Sequence, residues 1–386
     1  MRKKICVVTG GRAEYGLLYP LLQKIKAKKS FDLSVVATGM HLEKAFGLTY
    51  REIEKDGFKI REKVSLRLVD DSPAGILRSM GLALAGFGEA LKRIKPDLVL
   101  VLGDRFEIFC AATAAHVSRI PLVHIHGGES TEGAFDDAFR HAITKMSIIH
   151  FTSAKKYRNR VIQLGEDPRR VFNVGALGLD NIKQLPLLDK KKVEDKFRFK
   201  FKKHNLLVTY HPVTLENDRQ GKGFAELLKV LDRRPDTLLI FTKANADTNG
   251  RVINRMIDDY VNRNADKAVA FAALGRVGYL STMKYVEAVV GNSSSGIIEA
   301  SSFKIGTINI GDRQKGRIQA DSVINCGTTA AEITDAFRKL YSPEFQKKLN
   351  AVRSPYGDGK TADRMVQVLE SIPLKGLLKK SFHDLR

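Results

Sequence analysis

The fold and the function of this chain are both decided by the stretch Val289-Val290-Gly291-Asn292-Ser293-Ser294-Ser295-Gly296-Ile297-Ile298-Glu299-Ala300. Its apolar start predicts a short buried strand that stops at Gly291, and a helical pattern begins at Ile297. A strand that ends in hydroxyl residues before a helix presents backbone N–H groups and a positive helix dipole, which suit a phosphate. Glu299, in the first helical turn, suits the dipole and could hold sugar hydroxyls. An ordinary serine N-cap without a ligand is the alternative.

Length and composition place the chain among globular proteins. Its 386 residues, 43% hydrophobic and 28% charged, are enough for two domains with a buried core. The three cysteines are scattered and form no C-x-x-C pair, which indicates reduced thiols. The N-terminus lacks the apolar core and cleavage site of a signal peptide, and no window approaches a transmembrane span. We expect a cytoplasmic protein without a membrane partner.

The formal net charge of +22 raises the question of nucleic-acid binding. Most Lys and Arg are spread among acidic residues, and the densest basic run, 190–203, carries apolar residues at helical spacing. A helix face packed on a core explains that run, so we expect no nucleic-acid partner. An anionic small substrate accounts better for the charge that faces inward.

Short apolar runs alternate with helical patterns, which predicts parallel sheets covered by helices on both faces. The predicted strands are 5–9, 33–37, 96–102, 121–125, 148–152, 171–174, 206–210, 238–242, 269–273, 286–290 and 307–310. The predicted fold class is α/β, with two Rossmann-like doubly wound domains in series. The predicted boundaries are 1–185 for the first domain, 186–204 for a connecting segment, 205–362 for the second domain, and 363–386 for a final helix with a basic tail.

Reactive residues follow nearly every predicted strand, where open α/β sheets bind ligands. They come from both halves of the chain, which predicts a cleft between the two domains. The first turn, Gly10-Gly11-Arg12-Ala13-Glu14-Tyr15-Gly16, matches neither dinucleotide nor ATP motifs, although Arg12 could reach a diphosphate. Asp104-Arg105 ends an apolar strand, where a carboxylate is costly unless it is paired or used. A structural Asp–Arg ion pair is the alternative there.

A third cluster combines His124-Ile125-His126-Gly127-Gly128-Glu129 with Asp136 and its neighbours. Acid–base catalysis by the carboxylates with His126 is one interpretation. A metal site is another, but the chain has no H-E-x-x-H, C-x-x-C or Asp-x-Asp motif, so we expect none. Helix capping would explain Asp136 but not the whole cluster.

Three further residues of the second half suit a nucleotide diphosphate. His211 follows a strand and could donate to a phosphate, and Asn245 could fix a nucleotide hydroxyl. The guanidinium of Arg313 suits a pyrophosphate through its paired donors. Each of these side chains taken singly is also compatible with a structural role.

Together these residues resemble the hydrolysing UDP-N-acetylglucosamine 2-epimerases, which make N-acetylmannosamine for sialic acid synthesis. The matching segments are 11–16, 103–105, 124–129, 143–145, 211–212, 291–296 and 309–317. The non-hydrolysing relatives typically carry Arg-Pro-Glu near the first strand, whereas this chain has Arg12-Ala13-Glu14. The resemblance therefore favours the hydrolysing branch.

The resemblance implies the GT-B fold, with UDP bound by the second domain and the nucleotide sugar in the cleft. The implied UDP ligands are His211, Asn245, Ser293, Ser294, Glu299 and Arg313, and Arg12 and Arg105 approach from the first domain. Asp104 and Asp136 are the implied catalytic carboxylates. The family often has a glutamate where this chain has His126, so either His126 or Glu129 could replace that acid or base.

The implied reaction eliminates UDP across C1 and C2 and then hydrates the glycal with opposite stereochemistry at C2. It needs no cofactor, and we expect a UDP-sugar substrate and a homo-oligomer. The motifs do not separate UDP-N-acetylglucosamine from the 2,4-diacetamido sugar of legionaminic acid synthesis. A GT-B glycosyltransferase and a non-catalytic nucleotide-sugar binding protein remain as more remote alternatives.

Overall fold

The computed structural model describes residues 2–68, 70, 72–130, 136–212, 221–244 and 250–385, apart from the side chain of Arg251. Internal contacts divide the chain into two compact units. The first unit comprises Met1–Glu129, Asp136–Asn181 and Tyr356–Arg386, and the second contains Ile182–Pro355. No helix in the described ranges is long and apolar enough to cross a membrane.

The first unit contains a sheet of seven parallel strands in the order β3-β2-β1-β4-β5-β6-β7. The strands are β1 Lys3–Thr9, β2 Phe31–Thr38, β3 Ile60–Val64, β4 Leu98–Leu102, β5 Leu122–Ile125, β6 Ile149–Thr152 and β7 Val171–Asn173. All five residues of β4 are buried, as expected for a parallel strand covered on both faces. The strand order reverses between β1 and β4, which makes their carboxyl ends the switch point where ligands bind in such sheets.

In the described residues, seven α-helices accompany this part of the chain. They are α1 Arg12–Ala27, α2 Tyr50–Lys55, α3 Pro73–Ile94, α4 Phe106–Val117, α5 Asp136–Met146, α6 Lys155–Gln163 and α7 Gly178–Gln184. Two separate apolar clusters form the core, and they contain alternate residues of β1, such as Ile5 in one and Cys6 in the other. Because side chains alternate across a strand, these clusters cover opposite faces of the sheet.

The second unit contains six parallel strands in the order β10-β9-β8-β11-β12-β13. The strands are β8 His204–Thr209, β9 Thr237–Thr242, β10 Ala268–Phe271, β11 Ala288–Gly291, β12 Gly306–Ile310 and β13 Val323–Cys326. The helices are α8 Lys190–Phe197, α9 Lys222–Asp232, α10 Gly250–Arg263, α11 Gly275–Met283, α12 Ser294–Ile298, α13 Ala330–Leu340 and α14 Pro343–Ala351. Its switch point lies between β8 and β11.

The last helix, α15 Thr361–Ser371, belongs to the first unit. Asp180 accepts hydrogen bonds from the N–H groups of Thr361 and Ala362 at 3.0 and 2.8 Å, which satisfies the start of the helix. Lys3 donates to three carbonyls at its end. The predicted second domain, 205–362, thus differs from the observed unit, because the chain returns to the first unit at Tyr356.

The sheets confirm the prediction of two Rossmann-like domains, but two strands were not predicted. Both β3 and β13 lie at an edge of their sheet. Their sequences, IREKV and VINC, contain polar residues and only one fully buried position each. An edge strand needs no continuous apolar run, so its sequence lacks the signal used for the other strands.

Candidate functional site

At the end of β1, the turn at Gly10 packs directly on a buried carboxylate. A Cβ atom on Gly10 would lie 2.6 Å from Oε1 of Glu107, so no larger residue fits without displacing that side chain. Arg105 donates from Nε to the same oxygen at 2.7 Å. The backbone N–H of Gly10 donates to Glu14 at 3.3 Å, and burial with the nearby Glu107 raises the pKa of Glu14 well above its ordinary value. Arg105 is therefore positioned by a carboxylate cluster beneath the glycine turn.

Arg12 is the first residue of α1 and is partly buried at this turn. Burial lowers its pKa, while Glu52 opposes the shift. The nearby imidazole of His41 is fully buried between the hydroxyls of Thr9 and Thr49, at 3.2 and 2.8 Å. Burial and the charge of Arg12 lower the pKa of His41 to about 4, so this histidine is neutral near pH 7. The turn thus presents positive charge from Arg12.

At the end of β4, Asp104 forms an ion pair with Arg140 of α5. Arg140 is almost fully buried and also donates to the backbone oxygen of His126 at 3.0 Å. Burial by itself lowers the pKa of Arg140. The neighbouring carboxylates outweigh this effect, so the pKa lies above its ordinary value; they are Asp104, Glu129, Asp137 and Asp136. Asp104 and Arg105 therefore have different partners rather than each other. The arrangement holds the carboxyl group of Asp104 against a buried guanidinium at the switch point.

His124, within β5, and His126, directly after it, have different surroundings. The imidazole of His124 is completely buried between the Gly103 carbonyl at 2.9 Å and the Thr144 hydroxyl at 3.0 Å, and burial lowers its pKa to about 3. A neutral ring with Nε2–H donating to Gly103 fits these contacts. His124 therefore acts as a structural link between β4 and β5 at the base of the site.

His126 and Glu129 form a second polar pair. His126 adopts the left-handed conformation, with φ of 65°, which is uncommon for a residue other than glycine. Its Nδ1 lies 3.5 Å from Oε1 of Glu129, and the hydroxyl of Ser153 donates to that oxygen at 2.6 Å. Both side chains are nearly buried. A backbone strained to aim a side chain is typical of functional positions.

Asp136 is the first residue of α5, one helical turn before Arg140, and contributes to the negative potential around it. The structure therefore brings Asp104, His126, Glu129 and Asp136 into the surroundings of one buried guanidinium. Four predicted catalytic residues converge there. Arg140 belongs to the cluster that the sequence indicates after Asp136, but the sequence assigned it no role. An arginine within an amphipathic helix gives no distinguishing signal in a single sequence.

In the second unit, Asn292 organises the ends of neighbouring strands. This residue is fully buried and follows β11. Its side-chain oxygen accepts from the N–H of His211, and its side-chain nitrogen donates to the carbonyl of His211, both at 2.7 Å. Its backbone oxygen accepts from Arg313 at 3.0 Å and from Gln314 at 2.8 Å. Through its side chain and its backbone carbonyl, this one residue links the segments after β8, β11 and β12.

The close approach of β8 and β11 requires a glycine. Gly291 has φ of 129°, and a Cβ atom there would lie 2.0 Å from the backbone oxygen of Thr209. Any side chain would collide with the neighbouring strand, since backbone cannot move aside as a flexible side chain can. Asn292 reaches His211 because Gly291 permits this approach.

The serine-rich segment differs from its predicted form. Helix α12 begins at Ser294 and ends at Ile298, so Glu299 follows the helix and the prediction that it lies in the first turn was wrong. The serines themselves enter the helix, because Ser293 acts as the N-cap and accepts from the N–H of Ser295 at 3.3 Å. With five residues, α12 offers only a short dipole.

Glu299 nevertheless stays close to the serine segment. It is partly buried, and the low polarity around it raises its pKa to about 7, while Ser295 opposes the shift. Burial of Tyr279 and, to a smaller extent, the negative charge of Glu299 raise the pKa of Tyr279 to about 12. Hydrogen bonds donated by hydroxyl groups would stabilise a carboxylate that is held in such a weakly polar setting.

Three predicted binding residues remain, which are His211, Arg313 and Asn245. His211 is nearly buried, with its backbone fixed by Asn292, and Arg313 is partly buried beside the same residue. Asn245 lies outside the described residues. Across the described ranges, no group of three or more His, Cys, Asp or Glu side chains is arranged to hold a metal ion.

Comparison with known proteins places these observations in a family. The sequence pattern of the family described as UDP-N-acetylglucosamine 2-epimerase matches residues 23–370. The GDP/UDP-N,N'-diacetylbacillosamine 2-epimerase (hydrolyzing) of Campylobacter jejuni is 44% identical over 385 residues, covering 100% of both chains. Polysialic acid biosynthesis protein P7 of Escherichia coli is 38% identical, covering 99% of this chain and 98% of the relative.

Solved structures support the fold independently. The UDP-GlcNAc 2-epimerase of Neisseria meningitidis, solved with UDP-GlcNAc bound, superimposes with a TM-score of 0.81 at 18% identity. The match covers 96% of this chain and 100% of that protein. At this identity the similarity establishes the fold, and it confirms the predicted pair of Rossmann-like domains of the GT-B type.

Proposed function

Because this chain belongs to the UDP-N-acetylglucosamine 2-epimerase family and is a hydrolysing nucleotide-sugar 2-epimerase, we propose that its substrate is a nucleotide-linked 2,4-diacetamido sugar. The observation that carries the proposal is the 44% identity, over the whole chain, to an enzyme named for N,N'-diacetylbacillosamine. UDP is the proposed nucleotide, and GDP is the competitor that the name of that relative raises. The products are the nucleoside diphosphate and the free sugar inverted at C2.

UDP-N-acetylglucosamine is the second candidate substrate. The relative from Escherichia coli, 38% identical, is named for polysialic acid biosynthesis, which favours a monoacetamido sugar. The two candidates differ at C4, where one carries an acetamido group and the other a hydroxyl, and at C6, where the diacetamido sugar has a methyl group and the other a hydroxymethyl group. Discrimination therefore depends on the residues that face C4 and C6 rather than on those that hold the nucleotide.

We assign nucleotide binding to the second unit. His211, Ser293, Ser294 and Arg313 supply donors around the carboxyl ends of β8, β11 and β12, and Glu299 accepts the ribose hydroxyls. Asn245 is proposed as a further nucleotide ligand. The support is physical, because diphosphate oxygens need donors and cations, and Asn292 already fixes the backbone of His211 and one end of Arg313.

We assign the proton transfers to the first unit. A carboxylate, for which Asp104 is proposed, removes the C2 proton as positive charge develops at C1. The electron pair of that C–H bond forms the C1=C2 bond, the C1–O bond breaks, and UDP leaves with the bonding electrons. Arg12 and Arg105 stabilise the departing diphosphate, since elimination depends on a stable leaving group.

Hydration of the glycal completes the reaction. An acid on the opposite face delivers a proton to C2, the oxygen of a water molecule bonds to C1, and one proton of that water passes to a base while the other remains on the new C1 hydroxyl. Asp136, Glu129 and His126 are the proposed groups for this step. The pair formed by His126 and Glu129 suits a proton donor because the two side chains share one hydrogen-bonded, nearly buried environment.

Proton NMR of the purified protein in deuterated water tests this proposal. The UDP and GDP forms of N,N'-diacetylbacillosamine and UDP-N-acetylglucosamine are supplied separately. We expect release of nucleoside diphosphate, a free sugar inverted and deuterated at C2, and the highest kcat/KM with the UDP-linked diacetamido sugar. A higher kcat/KM with UDP-N-acetylglucosamine would select the second candidate. Product without deuterium at C2 would exclude the elimination mechanism.

A further inference from the structure

The loop that follows β5 is held rigidly by its backbone. The N–H of His126 donates to the carbonyl of Phe151 at 2.8 Å, and its own carbonyl accepts from Arg140 at 3.0 Å, so the left-handed residue is fixed from both sides. Two residues later, a Cβ atom on Gly128 would collide with the backbone oxygen of Tyr157 on α6. A loop anchored in this way keeps its side chains in one geometry, as acid–base chemistry requires.

Ser153 is a buried hydroxyl residue next to this loop, and the proposed function has not yet used it. It directly follows β6 and is 1% exposed. Its hydroxyl donates to Oε1 of Glu129 at 2.6 Å, and Glu129 is itself 2% exposed. The same oxygen lies 3.5 Å from Nδ1 of His126. One carboxyl oxygen therefore lies between a hydroxyl and an imidazole.

The contacts of this oxygen indicate which nitrogen of His126 exchanges a proton. Since an ionised carboxylate only accepts hydrogen bonds, an attractive contact with Glu129 needs the hydrogen on Nδ1. Nε2 is then the nitrogen that gives a proton to a ligand or takes one from it. Glu129 acts one step behind, because a carboxylate beside an imidazole fixes the ring and stabilises its charged form.

We propose that His126 delivers the proton to C2 of the glycal and that Glu129 and Ser153 position it. This inference rests on the proposed function, in which either His126 or Glu129 could serve. The imidazolium gives its Nε2 proton to C2, and the electron pair of the C1=C2 bond forms the new C–H bond. The oxygen of a water molecule bonds to C1, one proton of that water passes to Asp136, and the other remains on the new hydroxyl. His126 then regains a proton from solvent as Asp136 loses one.

Quenched single-turnover reactions analysed by proton NMR separate the two halves of the reaction. The substrate is the nucleotide sugar with the highest kcat/KM in the wild type. UDP release reports elimination, and the ratio of glycal to hydrated sugar reports protonation at C2. His126→Asn, which tolerates a left-handed backbone, and Glu129→Gln are each expected to slow hydration about a hundredfold or more. Ser153→Ala is expected to slow it about tenfold. In all three variants UDP is still released and glycal accumulates.

Ser147→Ala is the matched control, at the opposite end of β6. Ser147 is fully buried, and its hydroxyl donates to the carbonyl of Ile143 at 2.7 Å. This variant loses one buried hydroxyl, as Ser153→Ala does, but its ratio of glycal to sugar should equal that of the wild type. In the Glu129→Gln background, Ser153→Ala should slow hydration by less than about twofold more, because an amide cannot stabilise the imidazolium however it is held.

Circular dichroism verifies the folding of each variant. The proposal is overturned if Ser153→Ala yields no more glycal than Ser147→Ala, or if the effects of Ser153→Ala and Glu129→Gln multiply in the double variant. Hydration at the wild-type rate in His126→Asn overturns it as well. A wild-type protein that releases no nucleoside diphosphate from any of the nucleotide sugars instead contradicts the proposed function, and this result appears before any variant is compared.

Discussion

The two sheets of this protein share one topology but differ in the chemistry at their switch points. In both, the first strand lies between the second and the fourth, as in β2-β1-β4 and β9-β8-β11. The first unit places acidic and basic side chains there, such as Asp104 with its partner Arg140. The second places a neutral amide, Asn292, with hydroxyls and backbone groups.

This difference shows how one fold supports two tasks. Charged groups in partly buried positions respond to proton transfer, because their protonation depends strongly on neighbouring charge. A fixed neutral amide and the donors around it instead hold an anion without changing their own charge. Topology therefore locates both sites, and only the side chains distinguish acid–base chemistry from nucleotide binding.

The largest effect is expected at the charged switch point. Asp104→Asn should lower turnover about two or more orders of magnitude, while UDP affinity changes by no more than a few-fold, because the amide cannot accept the C2 proton. A coupled assay of UDP release measures turnover, and calorimetry measures UDP affinity. The control is Asp97→Asn. Asp97 precedes β4 at the opposite end of the strand and accepts a hydrogen bond from the backbone N–H of Lys4, so this variant should retain activity within a few-fold. Unchanged turnover in Asp104→Asn would remove this residue from the mechanism.

The fourth strand of each sheet ends near a glycine, and the two glycines should differ in their tolerance of substitution. Gly291→Ala is expected to cost more than about 3 kcal/mol or to prevent folding, because its Cβ would meet the Thr209 oxygen. Gly103 has φ of 82°, but a Cβ atom there would meet no heavy atom within 4 Å in the part of the chain that the structure describes, its two chain neighbours apart. Gly103→Ala should therefore cost only about 1 kcal/mol. Urea unfolding compares the variants, and equal losses would contradict the steric argument.

The neutral amide should affect nucleotide affinity more than chemistry. Asn292→Ala removes both bonds to His211 and is expected to weaken UDP binding about tenfold to a hundredfold. The fold decrease in kcat should be smaller than the fold increase in KM, because the carboxylates of the first unit are unchanged. Steady-state kinetics and calorimetry separate these effects. A large fall in kcat with unchanged KM would show that Asn292 acts in the chemical step.

A smaller effect is expected from pH at Glu299. Its pKa of about 7 exceeds the ordinary value of 4.5, so the folded state favours the protonated form. The stability from that proton is present below about pH 4.5 and is lost as pH rises through 7. Relative to the wild type, Glu299→Gln should therefore gain about 1–2 kcal/mol across this window, allowing for partial exposure. Urea unfolding at several pH values measures it, and a constant difference would contradict the raised pKa.

Much of the site could be anticipated because parallel sheets expose their strand ends at one edge. Asp104, His126 and Arg313 were identified by position alone, since each follows an apolar run. Arg140 and Gln314 lie in segments that the sequence singled out, but they were assigned no role, because neither follows a strand directly and their partners lie elsewhere in the chain. The placement of Glu299 was wrong because serines entered the helix earlier than the apolar pattern indicated.

By itself the sequence determined the alternation of strands and helices, the two Rossmann-like halves and the polar residues at strand ends, because these depend on local hydrophobic periodicity. Only the tertiary structure decided that Asp104 pairs with Arg140, that Asn292 joins three strand ends, and that α15 returns to the first unit. Those features arise from contacts between residues far apart in the chain. Such contacts leave no periodic trace in a single sequence, since each partner satisfies its local pattern equally well without the other.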